Sequence, residues 1–184
     1  MRFLVYVGHP SQYLFLRESI KRLKNNGHKV LILIKTKDVL EKLLLNDGIK
    51  DYKNILNKKR GTSLISLIMS LLKRLFKIFP IIIDFRPNVL IGTDAAIAQL
   101  GFLLRIDRIT TIEDDYNIIR PLAWMTYPFT QTILCPEVCN VGRWKEKKIG
   151  YKGYMKLGYL HPNIFKFNKN VKDKYSLPEK FVLL

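Results

Sequence analysis

The feature that most constrains this chain is a repeated alternation of a short apolar run, a turn and an amphipathic stretch. Short apolar runs between turns suit strands buried on both faces of a parallel sheet, whereas a 3.6-residue period buries one side of a helix. Phe3 to Val7 opens the pattern as a strand, and Gly8-His9-Pro10-Ser11 breaks it, with Ser11 placed to cap the next helix. That helix sets Leu14, Leu16, Ile20 and Leu23 largely on one side and stops at Asn25-Asn26-Gly27. Val30 to Ile34 reads as a second strand, residues 37–46 as a second helix ended by Asp47-Gly48, and Tyr52 to Leu56 as a short third strand.

A basic loop at 57–61 leads into the most regular helix, in which Leu64, Leu67, Ile68, Leu71, Leu72, Leu75, Phe76 and Phe79 follow i, i+3, i+4 spacing. Pro80 predicts a stop or a kink. Lys73, Arg74 and Lys77 interrupt the apolar character, so a transmembrane span of about 20 residues is not available there. Core packing is one reading of this helix, and a partly exposed, membrane-touching face is the other. Asn88 to Ile91 gives a fourth strand, followed by Gly92-Thr93-Asp94 and a small-residue helix from Ala95 to Leu104. Ile109 to Ile112 gives a fifth, ending in Glu113-Asp114-Asp115, then a helix from about Asn117 to Met125. Thr132 to Cys135 is a sixth strand, ending at Pro136-Glu137. The alternation specifies an α/β class: a Rossmann-like, mostly parallel sheet flanked by helices, with right-handed crossovers. Residues 1–175 read as this domain. Ser176-Leu177-Pro178-Glu179-Lys180 reads as a linker into Phe181-Val182-Leu183-Leu184, so 176–184 is expected to be the start of a truncated second domain.

Composition narrows the class further. With 184 residues, 48% hydrophobic and 26% charged, the chain is long enough and apolar enough for a buried core. Two cysteines, Cys135 and Cys139, do not make a disulfide scaffold, and the first apolar run is too short for a signal peptide, so a reducing cytoplasm is expected. A formal charge of +17 fits a well-solvated surface, contact with an anionic membrane at its inner face, or phosphate-rich substrates. Nucleic acid is the least favoured partner.

Ligands of open parallel sheets sit beyond the carboxyl ends of the strands, which directs attention to the turns there. At the first turn, Pro10 stands where a dinucleotide fingerprint needs its second glycine, which removes support for a nicotinamide or flavin cofactor. Gly8 lets a substrate approach the backbone, and His9 is a candidate hydrogen-bonding or proton-moving group. Thr93 and Asp94 are candidates to present oxygens to a sugar, and Asp94 is equally a helix cap. Glu113, Asp114 and Asp115 concentrate acids in a basic chain, either to hold sugar hydroxyls and serve as a base or to pair with surrounding cations. Their spacing is not specific for a divalent metal, and no metal ligands are assigned. Cys135 and Cys139 read as buried thiols. Arg143, with Lys145, Lys147, Lys148 and Lys152 among Trp144, Tyr151 and Tyr154, is a candidate phosphate grip or a twisted surface strand. His161-Pro162 lies at the junction to the linker.

The strings Gly8-His9-Pro10, Gly92-Thr93-Asp94, Pro128-Phe129, Cys135-Pro136-Glu137, Val141-Gly142-Arg143-Trp144, Tyr151-Lys152-Gly153-Tyr154 and Leu160-His161-Pro162-Asn163 together resemble the domain of unknown function 354 family. That family is similar to the GT-B superfamily of glycosyltransferases and non-hydrolysing UDP-N-acetylglucosamine 2-epimerases. The resemblance covers essentially the whole chain and implies the amino-terminal one of two Rossmann-type domains facing across a cleft. It implies an acceptor-side role for this half, with most nucleotide contacts made by a carboxy-terminal domain. Catalytic roles are then expected for His9, Asp94 and Glu113, and substrate contacts for Gly8, Pro10, Thr93, Asp114, Glu137, Arg143 and His161. A nucleotide-diphosphate sugar enters as substrate, with no separate cofactor, and a sugar or lipid-linked acceptor as its partner. Three functions follow: a glycosyltransferase-like enzyme of surface polysaccharide or glycoconjugate synthesis, a sugar-nucleotide 2-epimerase, or a non-catalytic basic module that binds membrane or phosphate. The isolated domain is expected to be inactive.

Overall fold

A computed structural model describes residues 1–35, 39–56, 64–166, 168, 170–178 and 180. In chain order the elements are β1 (Arg2–Val7), α1 (Pro10–Asn25), β2 (Lys29–Lys35), α2 (Leu40–Asn46), β3 (Tyr52–Leu56), α3 (Leu64–Phe85) and β4 (Val89–Ile91). There follow α4 (Ala95–Leu103), β5 (Asp107–Thr111), α5 (Arg120–Thr126), β6 (Thr132–Pro136), β7 (Lys148–Tyr151), α6 (Leu157–Leu160) and α7 (Val171–Lys174). Among the described residues seven strands form one sheet in the order β3-β2-β1-β4-β5-β6-β7, every neighbouring pair parallel. The expected α/β, Rossmann-like class is therefore the observed one. The basic loop at 57–61 and the apolar tetrapeptide 181–184 lie outside the described residues, as do the side chains of Leu64 and Leu67.

Alternate residues of each strand feed opposite layers, because successive side chains of a strand point to opposite faces. Leu4, Tyr6, Leu31, Leu33 and Leu90 meet Ile78 and Ile82 of α3 and Ala96, Ile97 and Leu100 of α4. On the other face Val5, Val7, Val30, Ile32 and Ile34 meet Tyr13, Leu16 and Ile20 of α1 and Leu40 and Leu44 of α2. A third cluster of Ile112, Ala123, Tyr127, Ile133, Cys135, Cys139 and Trp144 closes the β6 end.

Several local expectations change. α3 does not stop at Pro80 but runs through it to Phe85. The bond that proline cannot make would go to the carbonyl of Phe76, on the exposed side of the helix where water can take its place. The fully buried Ile78 and nearly buried Ile82 anchor the helix on both sides of the proline. The cap of α1 is His9 rather than Ser11, whose amide donates to the His9 ring. Of the two readings of the basic segment, the surface strand is present as β7, an edge strand in which Ile149 and Gly150 are exposed.

A buried arginine and a half-buried lysine knit the β5–β6 half together. Arg108 Nε donates to the carbonyl of Phe129 at 2.6 Å, and Nη1 donates to those of Ile106 at 2.6 Å and Gly101 at 2.9 Å. Lys147 Nζ donates to the carbonyls of Tyr127 and Thr130, each at 2.8 Å, and of Pro128 at 3.2 Å. Burial lowers the pKa of both, since the charged form loses water. No helix among the described residues is long and apolar enough to cross a membrane.

Gly101 stands where α4 crosses Arg108, and a Cβ there would lie 2.5 Å from Arg108 Cγ and 2.8 Å from Leu90 Cδ1. Gly101→Ala is therefore expected to cost about 1–3 kcal/mol by overpacking, read as a lowered urea midpoint at unchanged slope. Cys135 and Cys139 are buried and unbridged, and burial pushes both thiols up, Cys139 to about 11 with help from Cys135 and Asp115. At about pH 8 neither is expected to react with iodoacetamide in the native protein, while both react after unfolding. A raised thiol stabilises the fold below its unfolded value of 9.0 and ceases to do so as pH climbs toward 11. The urea midpoint should fall over that interval, and Cys139→Ser should lessen the fall.

Candidate functional site

The sheet reverses its winding between β1 and β4. β1 leads into α1 on one face, β4 leads into α4 on the other, and the two turns part to leave a crevice at the carboxyl edge. Gly92 lets the second turn run against the first strand. Its φ is +154°, and a Cβ there would lie 2.8 Å from the Tyr6 carbonyl oxygen.

Gln12 joins the two lips. Its Oε1 accepts from the Gly8 amide at 2.9 Å, and its Nε2 donates to Thr93 Oγ1 at 2.8 Å. Gly8 and Thr93, predicted site residues 85 positions apart in the chain, are thus held together by a side chain that sequence reasoning missed. A glutamine in the first turn of an amphipathic helix reads as ordinary surface, and its spacing of four from Gly8 was the only available signal.

His9 is extended, at φ −148° and ψ +146°, and caps α1. Its Nδ1 accepts from the Ser11 amide at 3.3 Å and lies 2.8 Å from Ser11 Oγ. A ring whose Nδ1 accepts carries its proton on Nε2 when neutral, and this ring is exposed at the crevice lip. Pro10 is the first residue of α1, where its missing N–H costs nothing.

Asp94 is engaged on two sides. Oδ1 accepts from the Ala96 amide at 2.8 Å as the cap of α4, and Arg74 Nε lies 3.0 Å from Oδ2 and 3.1 Å from Oδ1. Arg74 Nη1 also donates to Ser70 Oγ at 2.8 Å, and both charged side chains are nearly buried, at 8% and 12% exposure. The pair ties α3 to the start of α4. Beside it Leu71, Ile119, Pro121, Leu122 and Met125 wall a cleft of about 340 Å³.

The acids at the neighbouring strand ends divide by partner. Glu113 Oε1 accepts from the Met155 amide at 3.0 Å, which joins the end of β5 to the segment after β7. Asp115 Oδ1 accepts from the Asn140 amide at 2.6 Å, while Asp114 and Glu137 are exposed. The Tyr151 hydroxyl is buried without a hydrogen-bond partner, and burial, then the Glu113 charge, keeps it protonated well above its ordinary range.

Two lysines of the basic segment after β6 are committed to backbone carbonyls, while Arg143, Lys145 and Lys152 are exposed. Lys147 is committed as above, and Lys148 Nζ donates to the carbonyls of Glu137 at 2.8 Å and Cys139 at 2.7 Å. Arg143 lies over two indoles, 4.4 Å from the ring centre of Trp124 and 4.8 Å from that of Trp144. His161 ends α6, exposed, with Nδ1 accepting from the Asn163 amide at 3.2 Å. α6 itself returns to α1, where a Cβ on Gly158 would meet Phe15 Cδ2 at 3.1 Å. The structure therefore gathers Gly8, His9, Thr93 and Asp94 around the winding switch, with Glu113, Asp114 and Glu137 at the ends of the next strands. Among the described residues no three His, Cys, Asp or Glu side chains converge as a metal site.

The same architecture occurs in solved structures. The UDP-GlcNAc 2-epimerase of Methanocaldococcus jannaschii superposes with a TM-score of 0.71 at 16% identity, over 96% of this chain and 52% of its own. That of Neisseria meningitidis, bound to UDP-GlcNAc, gives 0.64 at 16% identity over 87% and 48%. Spinosyn rhamnosyltransferase complexed with thymidine diphosphate gives 0.54 at 18% identity over 74% and 45%. The chain spans about half the length of these structures, and at such identities the likeness is one of fold. No curated protein matches the chain. The family model described as protein of unknown function (DUF354) matches residues 5–183, nearly end to end, and the chain belongs to that family.

Proposed function

We propose that this chain is the acceptor-side lobe of a GT-B-type enzyme that transfers a sugar from a nucleotide-diphosphate donor in surface polysaccharide or glycoconjugate synthesis. The observation that carries the reading is the state of the polar groups at the winding switch. His9 is held through Nδ1 and keeps Nε2 at the exposed lip. Asp94, the carboxylate at the second lip, is already engaged by Ala96 and Arg74. Transfer to a hydroxyl needs one group to take the acceptor proton as the glycosidic bond forms, and an oriented imidazole suits that task. The cleft beside Arg74 and Asp94, walled mainly by apolar side chains, suits the apolar part of an acceptor. On this reading Gly8, Gln12 and Thr93 hold the acceptor edge, and the donor nucleotide rests mainly on a second lobe.

A second reading, 2-epimerisation of a sugar nucleotide, is favoured by the superpositions, which are better on the epimerases than on the transferase. It would use Asp94 and Glu113, at the ends of adjacent strands, as acid and base. The two readings differ in product: a transferase releases a nucleoside diphosphate and a glycosylated acceptor, an epimerase returns an isomeric nucleotide sugar. Mass spectrometry and NMR of reactions with a panel of nucleotide sugars, with and without acceptors, decide between them.

Under the transfer reading, His9→Ala in the protein that carries this chain lowers kcat/KM by about 10²–10⁴-fold and costs about 1 kcal/mol of stability through the lost cap. Unchanged turnover would remove His9 from the site. Gln12→Ala is expected to raise KM for the acceptor with little change in melting temperature, because it frees both lips of the crevice. Asp94→Ala is expected to destabilise by about 3–5 kcal/mol, since it leaves Arg74 buried and unpaired. A stable Asp94→Asn variant, which keeps the cap, should retain activity if transfer holds and lose it if Asp94 is an epimerase acid or base.

A further inference from the structure

The outer side of α3 presents an apolar stripe that no described residue covers. Ile68, Met69, Leu72, Phe76, Phe79 and Ile83 are each exposed by 42% or more, and Phe76 by 78%. At about 100° per residue these six positions fall within one face roughly a quarter of the circumference wide and about 24 Å long. The neighbouring face, with Leu71, Leu75, Ile78 and Ile82, is seated in the core, so the helix cannot turn its stripe inward. Phe102 and Leu103 of α4, exposed by 56% and 70%, extend the surface. Leu75, Phe76, Phe79, Leu100 and Leu103 line an open groove of about 410 Å³ between the two helices.

Cations border this surface. Lys73 lies exposed along one edge of α3, beside Lys77, whose Nζ donates to the Ile55 carbonyl at 2.9 Å. Arg2 and Arg86 share a second cleft with Phe79, Ile83 and Asp84 at the far end of the helix, and Arg105 lies two residues beyond Leu103. A second copy of the chain would bring two such borders together in a molecule that already carries +17, which opposes self-association. An anionic bilayer meets the apolar stripe with acyl chains and the cationic border with lipid phosphates.

We propose that the α3–α4 face docks flat on an anionic lipid bilayer, with Leu72, Phe76, Phe79 and Leu103 entering the boundary between headgroups and acyl chains. The proposal goes beyond the functional reading above, since it uses the helix layer and none of the strand-end residues. Its test is co-sedimentation of the chain with vesicles of phosphatidylcholine alone or mixed with phosphatidylglycerol. Binding is expected on the mixed vesicles, at least tenfold weaker on phosphatidylcholine, and weaker again as salt rises. Leu72→Ser combined with Phe76→Ser should lower binding at least tenfold with an unchanged thermal melt, because both side chains are exposed. Lys73→Gln should lower it about 5-fold at low salt. Equal binding of the double variant and the parent to mixed vesicles would show that net charge alone is at work and would overturn the proposal. So would a concentration-dependent dimer in sedimentation equilibrium that the double variant abolishes, since the stripe would then belong to a second copy.

Discussion

The pairing of β1 with β4 is the constraint on which the rest of this structure depends. β1 is the strand at which the winding reverses, and Leu4, Val5 and Val7 on it are essentially without solvent exposure. Its register with β4, Phe3 to Val89 through Val5 to Ile91, brings the Gly92 turn against Tyr6. No side chain fits between them. Once that contact is made, α1 and α4 must leave on opposite faces, and the crevice between their first turns follows from topology rather than from any special sequence.

Polar groups then secure what the sheet places. Gln12 spans the crevice by two hydrogen bonds, and the Arg74–Asp94 pair fixes the start of α4 to α3. A nearly buried ion pair of this kind is costly to desolvate and costly to break, and its value here lies in position: it sets the second lip of the crevice relative to the helix layer. Arg108 and Lys147 do comparable work toward the β5–β6 end of the sheet, where each satisfies carbonyls that the turn before β6 leaves unpaired. Several of the chain's cations are thus internal fasteners, and the remaining surplus lies on the surface, part of it around the apolar stripe of α3.

Much of the fold was legible because it is written in periodicities. Val30 to Ile34 reads as a strand buried on both faces and is one, and the Asn26-Gly27 and Asp47-Gly48 stops fall where glycines adopt φ of +76° and +70°. The misreadings share one cause, that local signals do not report tertiary support. Pro80 can end an isolated helix but does not end one anchored at Ile78 and Ile82. At the site, Gly8, His9 and Thr93 were nameable because strand ends in such sheets face the ligand. Gln12 was not, because its meaning lies in a partner 81 residues away.

The sequence by itself determined the class of fold and the positions of its turns, since hydrophobic period and turn chemistry act over a few residues and survive without a partner. Only the tertiary structure decided which charges are available for chemistry and which surface is left uncovered. It bound Asp94 to Arg74, laid Arg143 against Trp124 and Trp144, left the His9 ring exposed, and turned one face of α3 outward. The reason is physical: a side chain's role at a site depends on what satisfies its hydrogen bonds and displaces its water, and those partners come from distant parts of the chain.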